Sequence, residues 1–172
     1  MLREREIFAM NLIDLINPNY LTEEVVDPRY ENSIFCNLKK MSPKTKGARM
    51  ESIVRDILTK MGYVVESPTN TDHDVIANGH KYEIKGSTLA KNTTNFSFLQ
   101  IRPEQDYESL IFTMFYPDEL VMMVMDKPTI IKNIEKDIFK SQHGGKKGNS
   151  KTYVYYGNKE TLQEIGATIF GN

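Results

Sequence analysis

The stretch DVIANGHKYEIKG, residues 74–86, decides the fold. Asn78-Gly79 lies at its centre. A type I′ hairpin turn needs positive φ at both central positions, and Asn followed by Gly meets that need best. The turn sets Ala77 opposite His80, Val75 opposite Tyr82, and Asp74 opposite Glu83. Directly opposed residues of an antiparallel pair hold their Cβ atoms about 5 Å apart on one face. Strand side chains alternate, so Lys85 shares that face with Glu83. Val75, Ala77, Tyr82 and Ile84 turn the other way and read as core. One hairpin thus sets two carboxylates and an ammonium side by side.

Outward from the hairpin, residues 47–61 read as a helix. Met50, Ile53, Val54, Ile57, Leu58 and Met61 share one face, and Gly62 ends it. Tyr63 to Val65 reads as a short strand. Leu110–Phe115 and Leu120–Met125 read as core strands, whereas FSFLQI (96–101) suits helix or strand. Pro128 opens a helix carrying Ile130, Ile131, Ile134, Ile138 and Phe139. A Gly- and Lys-rich loop (140–152), a strand (152–156) and a terminal helix (159–168) follow. At the other end, Ile7, Met10, Leu12, Ile13 and Ile16 form the stripe of a helix over 2–16, and 17–46 read as an irregular arm. The alternation predicts an α/β (α+β) class with a mixed central sheet flanked by helices. We read 1–172 as one domain: N-terminal helix and arm (1–46), core (47–126), and a C-terminal helix, basic loop and strand (127–172).

Composition agrees. The chain has 172 residues, 40% of them hydrophobic and 26% charged, with a net charge of -1. These values suit one globular domain and argue against coating nucleic acid through bulk charge. No run approaches the roughly 20 apolar residues of a membrane span. The N-terminus lacks a signal-peptide pattern. Cys36 is the only cysteine, which excludes an internal disulfide and a cysteine-based zinc site. The expectation is a cytoplasmic protein without membrane contact.

Opposed carboxylates repel unless a proton or a cation neutralises one of them. Mg2+ is commonly held by one or two carboxylates together with waters and substrate phosphates. A lysine beside it would orient a water or stabilise charge developing at phosphorus. The residue types therefore suit hydrolysis of a phosphodiester. The same charges would also suit a solvated hairpin face.

Asp74, eight residues, then Glu83-Ile84-Lys85 resembles the active-site motif of the PD-(D/E)xK nuclease superfamily, as found in type II restriction endonucleases. The resemblance covers roughly residues 47–115. It takes in a helix bearing Glu51, a strand, the acidic hairpin, Gly86-Ser87 and then FLQIRPEQDYESLIF (98–112). His73 stands where the motif has proline, and Asp72 competes with Asp74. The resemblance implies an αβββαβ core, in which 96–102 would be helical. It also implies a Mg2+-dependent endodeoxyribonuclease that cuts double-stranded DNA at a short sequence and leaves 5′-phosphates. Asp74 and Glu83 would hold the metal and Lys85 would act on water or phosphate. Glu51 would assist, unless it only pairs with Arg55 along its helix. Cutting two strands asks for two sites, hence a homodimer, with the 7–16 stripe as a candidate surface. A structure-specific nuclease of the same fold and an inactive DNA-binding module are the alternatives.

Two segments carry candidate DNA contacts. Ser87, Lys91, Asn92, Thr93 and Asn95 lie in a polar stretch after the motif, with Gln100 and Arg102 beyond. His143, Lys146, Lys147 and Lys151 lie in a loop without an acidic residue, suited to phosphate neutralisation.

Overall fold

In the computed structural model, residues 27–142 and 151–171 are described. A short helix α1 (Cys36–Lys40) leads into the long helix α2 (Pro43–Lys60). Pro43 stands in the first turn, where its missing N–H and fixed φ are tolerated. The helix therefore starts inside the segment expected to be irregular. Met50, Ile53, Val54, Ile57 and Leu58 are buried as their spacing predicts. Met61 is not: it is 46% exposed and caps the helix. Gly62, at φ 88, turns the chain out.

The strands β1 (Val65–Glu66), β2 (Val75–Ala77) and β3 (His80–Thr88) follow. Asn78 and Gly79 have φ of 50 and 80, the pair a type I′ turn requires. The register pairs Val75 with Tyr82 and Ala77 with His80, as the turn dictates. Next come β4 (Phe96–Ile101), β5 (Ser109–Phe115) and β6 (Leu120–Asp126). β5 is buried along its whole length, parallel to β3 and antiparallel to β6. The helix α3 (Lys127–Glu135) is capped by Asp126, which accepts from the Thr129 N–H at 2.8 Å. It stops at Glu135, so Ile138 and Phe139 lie beyond it. The short strand β7 (Lys140–Ser141), β8 (Tyr153–Gly157), α4 (Lys159–Glu164) and β9 (Thr168–Ile169) complete the order. The last helix is shorter than its sequence suggests. Gly166 adopts φ 102, and β9 then adds to the sheet edge.

The central sheet has six strands in the order β1-β2-β3-β5-β6-β9 and is mixed. A second sheet has the order β4-β8-β7. Helix α2 packs on β3, and α3 and α4 pack on β6. The class is therefore α/β (α+β) with a mixed central sheet and flanking helices. The expectation of a helix over 96–102 fails. Phe96 and Phe98 are buried on either side of Ser97, a period of two. Their rings pack edge-on against Tyr116 and Phe112, at 4.8 and 5.0 Å between centroids. That alternation makes a strand, so the connection between parallel β3 and β5 runs through the second sheet.

The expected helix over 2–16, with its dimer stripe, and His143, Lys146 and Lys147 lie outside the described residues. Among the described residues no helix is long and apolar enough to cross a membrane.

Candidate active site

The hairpin brings the acidic residues together with one change from simple register. The ladder between β2 and β3 stops at Val75. Asp74 donates its N–H to the Tyr82 carbonyl at 2.9 Å. Its Oδ2 accepts the Ile84 N–H at 2.7 Å, so the carboxylate leans across β3. Glu83 is 6% exposed, and its Oε1 lies 2.6 Å from Lys85 Nζ. Burial pushes the Glu83 carboxyl up to about 7. Lys85 opposes that rise, while the charge of Asp74 adds to it. Two carboxyls thus bear on one half of the hairpin, the one at Glu83 buried with an ammonium beside it.

Glu51 joins them from α2. Burial raises its pKa first and the charge of Asp74 next, while Lys85 and Arg55 pull it down. Arg55 Nη2 donates to the Asp74 carbonyl at 2.8 Å. Arg55 therefore holds the strand that carries Asp74, and Glu51 lies within the field of Asp74 and Lys85. A glycine makes this approach feasible. A Cβ on Gly86 would lie 2.6 Å from Met50 Sδ and 2.7 Å from Met50 Cβ. The absent side chain lets α2 settle on β3, one residue before Glu51.

Among the described residues no group of three or more His, Cys, Asp or Glu side chains could hold a metal ion by itself. Asp74 and Glu83 make a two-carboxylate set of hard oxygen donors. Such a pair suits Mg2+, which completes its octahedron with waters and substrate oxygens. The Glu83 carboxyl, raised by burial and by the charge of Asp74, also fits a cation: negative charge there lacks full compensation.

The candidate DNA contacts divide. Ser87 is buried, donating to the Thr88 carbonyl at 3.0 Å and accepting the Ser97 N–H at 3.2 Å, so its hydroxyl is committed inside the fold. Lys91, Asn92, Thr93 and Asn95 are exposed in the turn between β3 and β4. Gln100 and Arg102 are exposed at the end of β4, and Lys151 just before β8. Ile101 pairs with Tyr153, so these three gather at one end of the second sheet. The lysines of the arm have structural work. Lys39 Nζ donates to the Leu89 carbonyl at 2.7 Å, and Lys46 Nζ to the Lys39 carbonyl at 3.0 Å.

Several residues escaped the sequence reading. Arg55 was legible only as a helix-surface partner of Glu51. Arg29, held by Asp27 at 2.7 Å, clamps the 90–93 turn through the carbonyls of Ala90, at 2.7 Å, and Thr93. His73 is 2% exposed with neither ring nitrogen hydrogen-bonded, and Gln105 Oε1 and the Tyr107 hydroxyl are likewise buried without a partner. Burial raises the Tyr107 hydroxyl, and the charge of Glu83 adds to the rise. No local pattern announces long-range pairings of this kind.

No protein-family profile matches the chain, and no curated protein is significantly similar to it. Among solved structures, the bacterial homing endonuclease I-Ssp6803I is similar at a TM-score of 0.46 and 17% identity. The likeness covers 69% of this chain and 76% of that one. A match this loose carries no argument about function.

Proposed function

We propose that the chain is a small Mg2+-dependent type II restriction endonuclease, cutting double-stranded DNA at a short specific sequence to leave 5′-phosphates. One observation carries the reading: Asp74 Oδ2 is fixed on the Ile84 N–H, next along β3 from buried Glu83, whose Oε1 lies 2.6 Å from Lys85 Nζ. The resemblance of Asp74 and Glu83-Ile84-Lys85 to the nuclease motif supports the same assignment.

Asp74 and Glu83 would hold the cation, which would supply Lewis-acid polarisation of the scissile phosphate. The chain's own groups do the rest. The Ile84 N–H and Arg55 fix Asp74, so its carboxylate is preorganised. Lys85 donates to the phosphoryl oxygens as negative charge builds there, or to the attacking water. Glu51, half-buried with a raised pKa, orients that water and accepts its proton. Burial around Glu83 excludes bulk water and strengthens each of these interactions. Two copies would cut the two strands, and a symmetric homodimer would match a palindromic target.

A plasmid digest tests the reading. Discrete fragments with 5′-phosphate ends are expected in Mg2+ and none in EDTA. Cleavage confined to branched junctions would favour a structure-specific nuclease. Intact DNA from both wild type and Lys85→Ala would leave only a binding module.

A further inference from the structure

Gln100 stands apart from the rest of the second sheet. The register of β4 against β8 breaks between Phe98 and Ile101, a bulge. Gln100 sits in it at φ 56, in the left-handed region that side-chain-bearing residues rarely adopt. Neither the catalytic pair nor the core uses it: Gln100 is exposed, beside Leu99 at 45% exposure. Bulges re-aim a side chain, and a strained conformation persists only where its surroundings hold it. Here the hold is visible. The Gln100 N–H donates to Gln142 Oε1 at 2.8 Å, across from β4 to the residue that follows β7. Arg102 and Lys151 lie at the same end of the sheet.

We infer that bulged Gln100 reads a base edge in the DNA groove, that Gln142 is its positioning residue, and that Arg102 and Lys151 seat the neighbouring phosphates. This rests on the nuclease reading and adds which part of the fold selects the sequence. A glutamine amide presents N–H donors beside a carbonyl acceptor, and bidentate pairing with adenine N7 and N6 uses one of each. Cationic side chains beside it set position on the backbone without choosing sequence. The backbone tether matters because a reader must be aimed before contact, or the ordering cost falls on binding.

The test is selection of bound duplexes from a randomised pool with Ca2+ in place of Mg2+, using wild type, Gln100→Gly, Gln142→Ala and Gln142→Glu. Glycine removes the amide and tolerates φ 56, so Gln100→Gly should melt at or above the wild-type temperature. Its selected motif should lose preference at one base pair by roughly 10- to 100-fold, with the other positions kept. Gln142→Ala should blur the same position, and Gln142→Glu should keep it, since a carboxylate accepts the same N–H. Arg102→Ala and Lys151→Ala should weaken all sequences alike and lower the salt dependence. An unchanged motif in Gln100→Gly overturns the inference. Absence of any motif in wild type overturns it too, and the Mg2+ digest then decides separately whether the nuclease reading survives.

Discussion

Glu83 is the carboxyl on which the proposed chemistry turns, and its environment sets its pH behaviour. Its carboxyl ordinarily titrates at 4.5 and is pushed up to about 7 in the fold. The folded protein therefore keeps a proton that the unfolded chain releases between those values. Stability is complete below the lower value and declines as pH rises through the upper one. Glu83→Gln should consequently raise the melting temperature at pH 8 in the absence of divalent ions, by roughly 1–3 kcal/mol in stability, with the gain vanishing near pH 4.5. Calorimetry across pH checks this, and a gain independent of pH would mean that Glu83 is not the group responsible. The same variant should lose cleavage. Lys85→Ala should lower the cleavage rate by roughly 100- to 1,000-fold, the scale of one missing charge-stabilising donor, while DNA binding persists. The side chains of Asp74, Glu83 and Lys85 were readable in sequence, since a two-residue turn fixes register locally. The burial of Glu83 is set by tertiary packing, and the hold of Arg55 on Asp74 comes from a helix many residues upstream.

At the scale of elements, two joints decide whether the site assembles. The first is α2 against β3 at Gly86. An added methyl would meet the Met50 side chain at 2.6 to 2.7 Å, including its Cβ, which cannot swing away. Gly86→Ala should cost roughly 1–3 kcal/mol. It should also reduce activity more than folding, because it displaces Glu51 from Asp74 and Lys85. Denaturant titration beside a cleavage assay separates the two effects. The second joint is Tyr30, fully buried, whose hydroxyl donates to the Phe115 carbonyl at 2.5 Å and accepts the Leu89 N–H at 2.9 Å. It ties the N-terminal segment to β5 and to the exit of β3. Tyr30→Phe leaves two buried backbone groups unpaired and should cost about 1–3 kcal/mol. A loss below about 0.5 kcal/mol would mean those groups find other partners. Helix α2 was legible from its period of 3.6, β2 and β3 from the Asn78-Gly79 turn and alternation, and β5 and β6 from their continuous apolar runs. The strand β4 was not, because six residues with apolar positions at both spacings suit either element. Packing of Phe96 and Phe98 on the central sheet resolved it.

For the molecule as a whole, the proposed activity needs two active sites per cut. Sedimentation of the protein with a short duplex should show two chains per DNA, and a mixture of wild type with Lys85→Ala should yield nicked plasmid. A monomer that linearises DNA would break that expectation. Net charge pointed away from bulk nucleic-acid binding, and the structure gives the charges more exact duties: Lys39 and Lys46 brace the arm, while Arg102 and Lys151 stay exposed. The sequence by itself determined the hairpin, its register and the company of Asp74, Glu83 and Lys85, because turn chemistry and strand alternation act over neighbouring residues. Tertiary packing alone buried Glu83, placed Glu51 under the charges of Asp74 and Lys85, made β4 a strand and left Gln100 bulged and tethered. Each of these depends on surfaces distant in sequence meeting, and burial, not local pattern, sets their energies.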